Sequence, residues 1–172
     1  AKSVDISEDG TTYTLTLRDD IFWSDGEKIT TDDIVFTLDT LVEPEVAPST
    51  ASGYKVDGEF CSYEKVSDTE IVFTIGRASN LFKKALGALY VLPAHCFEGV
   101  AATEVLTCEQ NDTIATSGAF VVDSFNVGEK LVCVKNDKYY RTPAHIDGFE
   151  VRCVSDAGTQ EIAFQNGELS IF

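Results

Sequence analysis

The stretch Tyr13-Thr14-Leu15-Thr16-Leu17-Arg18-Asp19-Asp20-Ile21-Phe22-Trp23-Ser24-Asp25-Gly26-Glu27-Lys28-Ile29-Thr30-Thr31-Asp32-Asp33-Ile34-Val35-Phe36 encodes a strand, a turn and a helix start in succession. Tyr13, Leu15 and Leu17 alternate with threonines, and that period of two predicts a strand with one buried face. Ile21-Phe22-Trp23 is a second short apolar run, after which Ser24-Asp25-Gly26 turns the chain. Thr30 followed three residues later by Asp33 forms a capping box, and the acids Asp32 and Asp33 suit the positive end of a helix. Ile34, Val35, Leu38, Leu41 and Val42 then recur at helical spacing until Pro44 ends the run.

Outward from this block, residues 43–58 read as a loop rich in proline, glycine and hydroxyls. Residues 63–66 and 69–75 read as strands across the Ser67-Asp68 turn, with Ile71, Phe73 and Ile75 on one face. A helix is expected over 81–86, and a short one from Pro93 to Gly99. Residues 118–125 and Lys130–Lys135 form a hairpin through Asn126-Val127-Gly128-Glu129. Residues 136–143 are turn-like. The chain closes on a predicted β-α-β unit: a strand over 149–154, a helix over Ala157–Gln165 and a strand over 169–172. Stopping on an unpartnered strand, and starting with neither a basic nor an apolar leader, the sequence reads as a piece of a longer chain.

Charge and composition exclude several classes of function. With 29 Asp+Glu against 13 Lys+Arg, the net charge is −16, the wrong sign for neutralising phosphates or lying on an anionic membrane. At 44% hydrophobic over 172 residues the chain can bury a real core. Its longest apolar stretch, 85–94, holds Gly87 and Pro93 and falls short of the roughly 20 residues a membrane helix needs. Residues 1–60 carry −10 and the remainder −6. That excess serves as a solvated face, or steers cationic solutes over roughly 8–10 Å at physiological salt.

Cys61, Cys96, Cys108, Cys133 and Cys153 contain no C-x-x-C, so neither a zinc quartet nor a thioredoxin motif is present. Cys133 and Cys153 lie in apolar strand patterns and are expected in the core; a bridge between Cys96 and Cys108 is left open. Asp5-x-Ser7-x-Asp9-Gly10 starts like a calcium loop but has Thr16 where the bidentate glutamate belongs. His95-Cys96, with His145 far off, is the one local pair suggestive of nucleophilic catalysis, and no motif supplies an orienting acid. No catalytic residue, metal ligand or cofactor is therefore expected. Trp23-Ser24-Asp25-Gly26 is read as structural, an Asp-Gly turn beside a buried indole.

Residues 13–36 closely resemble the "Y-T-F-x-L-R-x-x-x-x-W-S-D-G-x-x-x-T-A-x-D-V-V-F" block of the family 5 extracellular solute-binding proteins, the oligopeptide-, dipeptide- and nickel-binding components of ABC importers. Further blocks follow in the family's order. Asp68-Thr69-Glu70-Ile71-Val72-Phe73-Thr74-Ile75 is similar to "D-D-x-T-V-x-F-T-L", Val91-Leu92-Pro93-Ala94-His95 to "I-L-P-K-H", and Ser117-Gly118-Ala119-Phe120 to "T-G-P-Y" or "N-G-A-Y". Lys135-Asn136-Asp137-Lys138-Tyr139-Tyr140 resembles "x-R-N-P-x-Y-W", and residues 163–171 resemble "A-L-x-x-G-E-I-D-I". Thr116, Asp137 and Tyr140 depart from the family's glycine, proline and tryptophan and mark a divergent member.

The resemblance implies an α+β chain of mixed, largely antiparallel sheets with flanking helices. It would be part of lobe I of a two-lobed periplasmic-binding-protein-like fold of class II type. Residues 1–112 would form a smaller subdomain and 113–172 part of the central sheet, with the second lobe absent. It further implies capture of a peptide or related small solute in an interlobe cleft and delivery to ABC permease subunits. The protein would work outside the cytoplasm, extracellular or periplasmic, as an anchored lipoprotein. The alternatives are a solute sensor or peptide chaperone of the same fold and, third, a Cys-His enzyme. By position, Ser49, Thr50, Ser52, Tyr54, Leu89 and Tyr90, with Ser117 and Gly118, are the expected substrate-binding residues: a few hydroxyls among apolar walls.

Overall fold

Thr30 caps its helix as the spacing predicts. Its hydroxyl accepts the Asp32 N–H while the Asp33 carboxylate accepts the Thr30 N–H, so two otherwise orphaned donors are satisfied. The computed structural model describes residues 1–43, 46, 48–112 and 114–171. Two compact units emerge, Ala1–Ser117 and Gly118–Phe172. Pro44, read as the helix stop, Thr113, where the second subdomain was expected to begin, and Phe172 of the last predicted strand lie outside the described residues.

The first unit runs β1 (Ser3–Ile6), β2 (Thr12–Thr16), α1 (Thr31–Val42), α2 (Pro48–Ala51), β3 (Lys55–Val56), β4 (Glu59–Phe60), β5 (Ser62–Ser67), β6 (Glu70–Thr74) and α3 (Asn80–Gly87). Its main sheet is antiparallel in the order β1-β2-β6-β5. Register places Tyr13 opposite Phe73 and Leu15 opposite Ile71, so the apolar faces of β2 and β6 coincide. Ile34, Leu38 and Leu41 of α1 and Phe82 of α3 share the same core, and the Tyr13 and Phe82 rings meet edge-on at 5.1 Å. Burying each such side chain contributes about 1.5–3 kcal/mol. Val42, counted in the apolar stripe, is exposed at the helix end.

The expected loop 43–58 contains more structure than its composition announces. α2 is a single helical turn, followed by a 3-10 turn over Ser52–Tyr54 and the hairpin β3–β4. Asp57 and Gly58 take φ of 55° and 89°, the two left-handed positions of a tight hairpin, which Asp-Gly adopts at low cost. β1 alternates Val4 and Ile6 with Ser3 and Asp5 over only four residues, all of them exposed, and passes unnoticed in the sequence; it pairs because Ser7–Gly10 turns the chain back on itself.

The second unit is an antiparallel sheet β7 (Phe120–Asn126), β8 (Lys130–Lys135) and β9 (Gly148–Arg152), in that order, followed by α4 (Ala157–Gln165). The predicted hairpin and helix are found, but the closing strand of the β-α-β unit is not. Leu169–Ile171 is irregular and pairs with no strand, although β9 stands at the sheet edge with one side unpaired among the described residues. Cys133 is buried as expected. Cys153 is not: it lies just past β9, an edge strand whose side chains are largely exposed, and is itself exposed. All five cysteines are free, so Cys96 and Cys108 are not bridged. Among the described residues no helix is long and apolar enough to cross a membrane.

Candidate functional site

The polar groups of α1 that face inward position the expected ligand wall. Asp33 is only 4% exposed, yet its carboxylate is fully engaged. Oδ2 accepts the Thr30 N–H at 2.9 Å and the Trp23 indole N–H at 3.3 Å, and Oδ1 accepts the Ala94 N–H at 2.9 Å. One turn on, the Thr37 hydroxyl donates to the Asp33 carbonyl at 2.6 Å and accepts the Leu92 N–H at 2.8 Å. The irregular segment after α3 is therefore strapped to α1 at two backbone amides. A buried carboxylate is tolerated because its hydrogen bonds replace water.

Just before the strap, Leu89 is half-buried against the core while Tyr90 is 89% exposed. Tyr54, by contrast, is 2% exposed; its hydroxyl donates to the Ala85 carbonyl at 2.9 Å, and burial pushes its pKa up to about 12. That bond ties the Ser52–Tyr54 turn to α3. Gly53 completes the approach, since a Cβ there would meet the Ala85 Cβ at 3.3 Å. Ser49, Thr50 and Ser52 are exposed, with the Ser52 hydroxyl donating to the Ser49 carbonyl at 2.7 Å. The fold thus joins the 49–54 segment to the α3 end that presents Leu89 and Tyr90. Ser49, Thr50, Ser52 and Tyr90 are left open to solvent, while Tyr54 is buried. Ser117 ends the first unit and Gly118 begins the second.

The turn at Trp23–Gly26 is held from two sides. Ser24 exchanges hydrogen bonds with Thr116: its N–H donates to the Thr116 carbonyl at 2.8 Å, and its hydroxyl accepts the Thr116 N–H at 3.0 Å. Among the described residues the buried Thr116 hydroxyl has no partner. On the other side Asp25 Oδ2 lies 2.7 Å from His95 Nε2, and the Cys96 sulfur lies 3.5 Å from the same nitrogen. Sequence spacing could not show this, since Asp25 and His95 are 70 residues apart. Partial burial raises the Asp25 carboxyl, but hydrogen bonds from His95 and the Glu27 N–H outweigh it and hold its pKa below the ordinary value. This is not a nucleophilic relay, in which the acid and the thiol engage opposite ring nitrogens.

In the second unit a groove of about 910 Å³ runs along β9 and α4, lined by Phe149, Val151, Leu169 and Ile171 among others. None of the expected substrate-binding residues lines it.

The family described as "Bacterial extracellular solute-binding proteins, family 5 Middle" matches residues 1–172. The "Oligopeptide-binding protein AppA" of Bacillus subtilis (strain 168) is 24% identical over 174 residues, covering 100% of this chain and 32% of its own length. Among solved structures, the ABC transporter substrate binding protein CtaP from Listeria monocytogenes superposes with a TM-score of 0.91 at 29% identity, over 98% of this chain and 34% of that one. NikZ from Campylobacter jejuni, solved in complex with Ni(L-His), gives 0.82 at 26% identity, over 98% and 33%. The chain spans about a third of the length of the curated relatives it matches over most of its own length.

Proposed function

Because the chain belongs to the family 5 bacterial extracellular solute-binding proteins, we propose that it is part of the substrate-binding component of an ABC importer. The whole protein would capture a peptide or related small solute in an interlobe cleft and hand it to permease subunits. Residues 1–112 would be the smaller subdomain of lobe I and 113–172 part of its central sheet subdomain. The match of the family along all 172 residues carries this reading. The oligopeptide- and dipeptide-binding names of the relatives support peptides as the solute class.

Ser49, Thr50, Ser52, Leu89 and Tyr90, with Ser117 and Gly118, form the proposed lobe I contribution to the cleft; Tyr54 would act by holding the 49–54 turn against α3. The protein performs no chemistry on its solute, works outside the cytoplasm, and is tethered as a lipoprotein. A cleft closed by hinge motion shares its contacts between lobes. At about tenfold in affinity per 1.4 kcal/mol, the loss of a few hydrogen bonds of about 1 kcal/mol each takes a micromolar complex towards millimolar.

The test is mass spectrometry of solute co-purifying with the full-length protein, followed by calorimetry. Micromolar binding to the full-length protein and little to residues 1–172 is expected. Equal affinity in both would overturn the shared cleft, and a full-length protein without any peptide affinity would overturn the peptide reading.

A further inference from the structure

We propose that Asp25, His95 and Cys96 bind a single borderline divalent transition-metal ion, Zn²⁺ foremost, at a site that bridges the Trp23–Gly26 turn to the 3-10 turn Ala94–Phe97. One carboxylate oxygen, one imidazole nitrogen and one sulfur lie within 4.8 Å of one another. Oδ2 and Sγ both lie beside the same ring nitrogen and no more than 4.8 Å from each other, so a single ion can reach all three donors. Tetrahedral zinc with bonds of about 2.0–2.3 Å places its donor atoms about 3.3–3.6 Å apart. The sulfur–nitrogen separation of 3.5 Å already fits. The 2.7 Å oxygen–nitrogen separation is a hydrogen bond that needs to open by about half an ångström around an ion.

The donors stand on anchored backbone. Asp25 Oδ1 accepts the Glu27 N–H at 3.0 Å, which leaves Oδ2 turned towards His95. The other turn is held where the Ala94 N–H reaches Asp33 at 2.9 Å and the Cys96 N–H donates to the Pro93 carbonyl at 3.0 Å. The side chains are half-exposed, 41% for Asp25 and 32% for His95, so an ion can enter from solvent and keep a fourth position for water. A mixed S/N/O set selects borderline cations over Mg²⁺ or Ca²⁺. On binding, the neutral imidazole coordinates through the Nε2 lone pair as its Nδ1–H tautomer, the metal bonds replace the contact between Nε2 and Oδ2, and the thiol proton of Cys96 passes to solvent.

Metal-free protein is titrated with Zn²⁺ by calorimetry in excess Mg²⁺, and with Co²⁺ by absorption. One Zn²⁺ per chain at micromolar concentration is expected, together with a thiolate-to-cobalt charge-transfer band. Cys96→Ser should abolish the band, and His95→Gln and Asp25→Asn should each weaken Zn²⁺ by more than about tenfold, the loss that even an outer-shell partner causes. Cys153→Ser, in the other unit, should leave both readouts unchanged. Trp23 emission checks that each variant is folded; should one fail, the remaining two decide. Absence of micromolar one-to-one uptake, persistence of the band in Cys96→Ser, or its loss in Cys153→Ser would overturn the site.

Discussion

The Trp23 indole N–H donates to Oδ2 of Asp33 at 3.3 Å, with both residues almost wholly buried, so the turn before α1 and the first turn of α1 form one hydrogen-bonded body. The same carboxylate holds Ala94, and through it the segment that follows Tyr90. Trp23, the sole tryptophan, is 3% exposed. Its native emission should lie to the blue of the solvent-exposed maximum and shift red on unfolding.

Asp33→Ala removes the acceptor of three N–H groups at once, one buried and two part-buried. Each becomes unsatisfied, and the helix also loses half of its capping box. A loss of about 2–4 kcal/mol is expected in denaturant titration. Asp33→Asn keeps one acceptor oxygen and should lose less. Equal stability for wild type and Asp33→Ala would refute the role assigned to this carboxylate.

Thr116→Val acts in the opposite direction. The substitution is nearly isosteric and replaces a buried hydroxyl that has no partner among the described residues. Removing an unsatisfied polar group should stabilise by about 1 kcal/mol, while the backbone bonds to Ser24 remain. A destabilised variant would mean that the hydroxyl is satisfied in solution.

Thiol labelling should separate the cysteines by burial. Burial pushes the Cys61 thiol up to about 12, so at pH near 8 its thiolate is on the order of one part in ten thousand. Cys61 and the buried Cys133 should resist iodoacetamide in the native protein, whereas the exposed Cys153 should react first. Rapid native labelling of Cys133 would refute its place inside the β7–β8–β9 sheet.

Acid should destabilise the fold through particular carboxylates. Hydrogen bonds from Ser7 and Thr11 hold Asp9 below the ordinary aspartate value, that from Arg18 holds Asp20 there, and those from Thr159 hold Asp156 there. Arg152 and Lys130 do the same for Glu150. A folded pKa below the unfolded one contributes stability that is complete above the unfolded value and lost as pH falls through it towards the folded value. Denaturation midpoints should therefore drop between about pH 5 and 3. Relief of the net charge of −16 opposes this, and a midpoint that rises over that interval would show repulsion to be the larger effect.

The sequence by itself determined the elements whose signals are local. The alternation at Tyr13–Leu17, the Thr30–Asp33 capping box, the apolar stripe of α1, the β7–β8 hairpin and the bounds of α4 are each written in residues a few positions apart. Those signals survive because strand period, cap and turn are near-neighbour properties of the backbone. The same logic explains the misses. β1, at four residues, and the strands of the β3–β4 hairpin, at two each, are too short to show a period, and Cys153 sits in an apolar run that ends at a sheet edge. Leu169–Ile171 follows the strand pattern yet pairs with no strand.

Only the tertiary structure decided which polar side chains meet. Asp25 reaches His95 across 70 residues, and Asp33 is 61 residues from Ala94. Tyr54 turns inward to Ala85 while Tyr90 turns out. None of these pairings has a spacing rule, because each depends on the path of every intervening element. A hydrogen bond formed within a few tenths of an ångström at such separations is a property of the packed chain, and periodicity does not encode it.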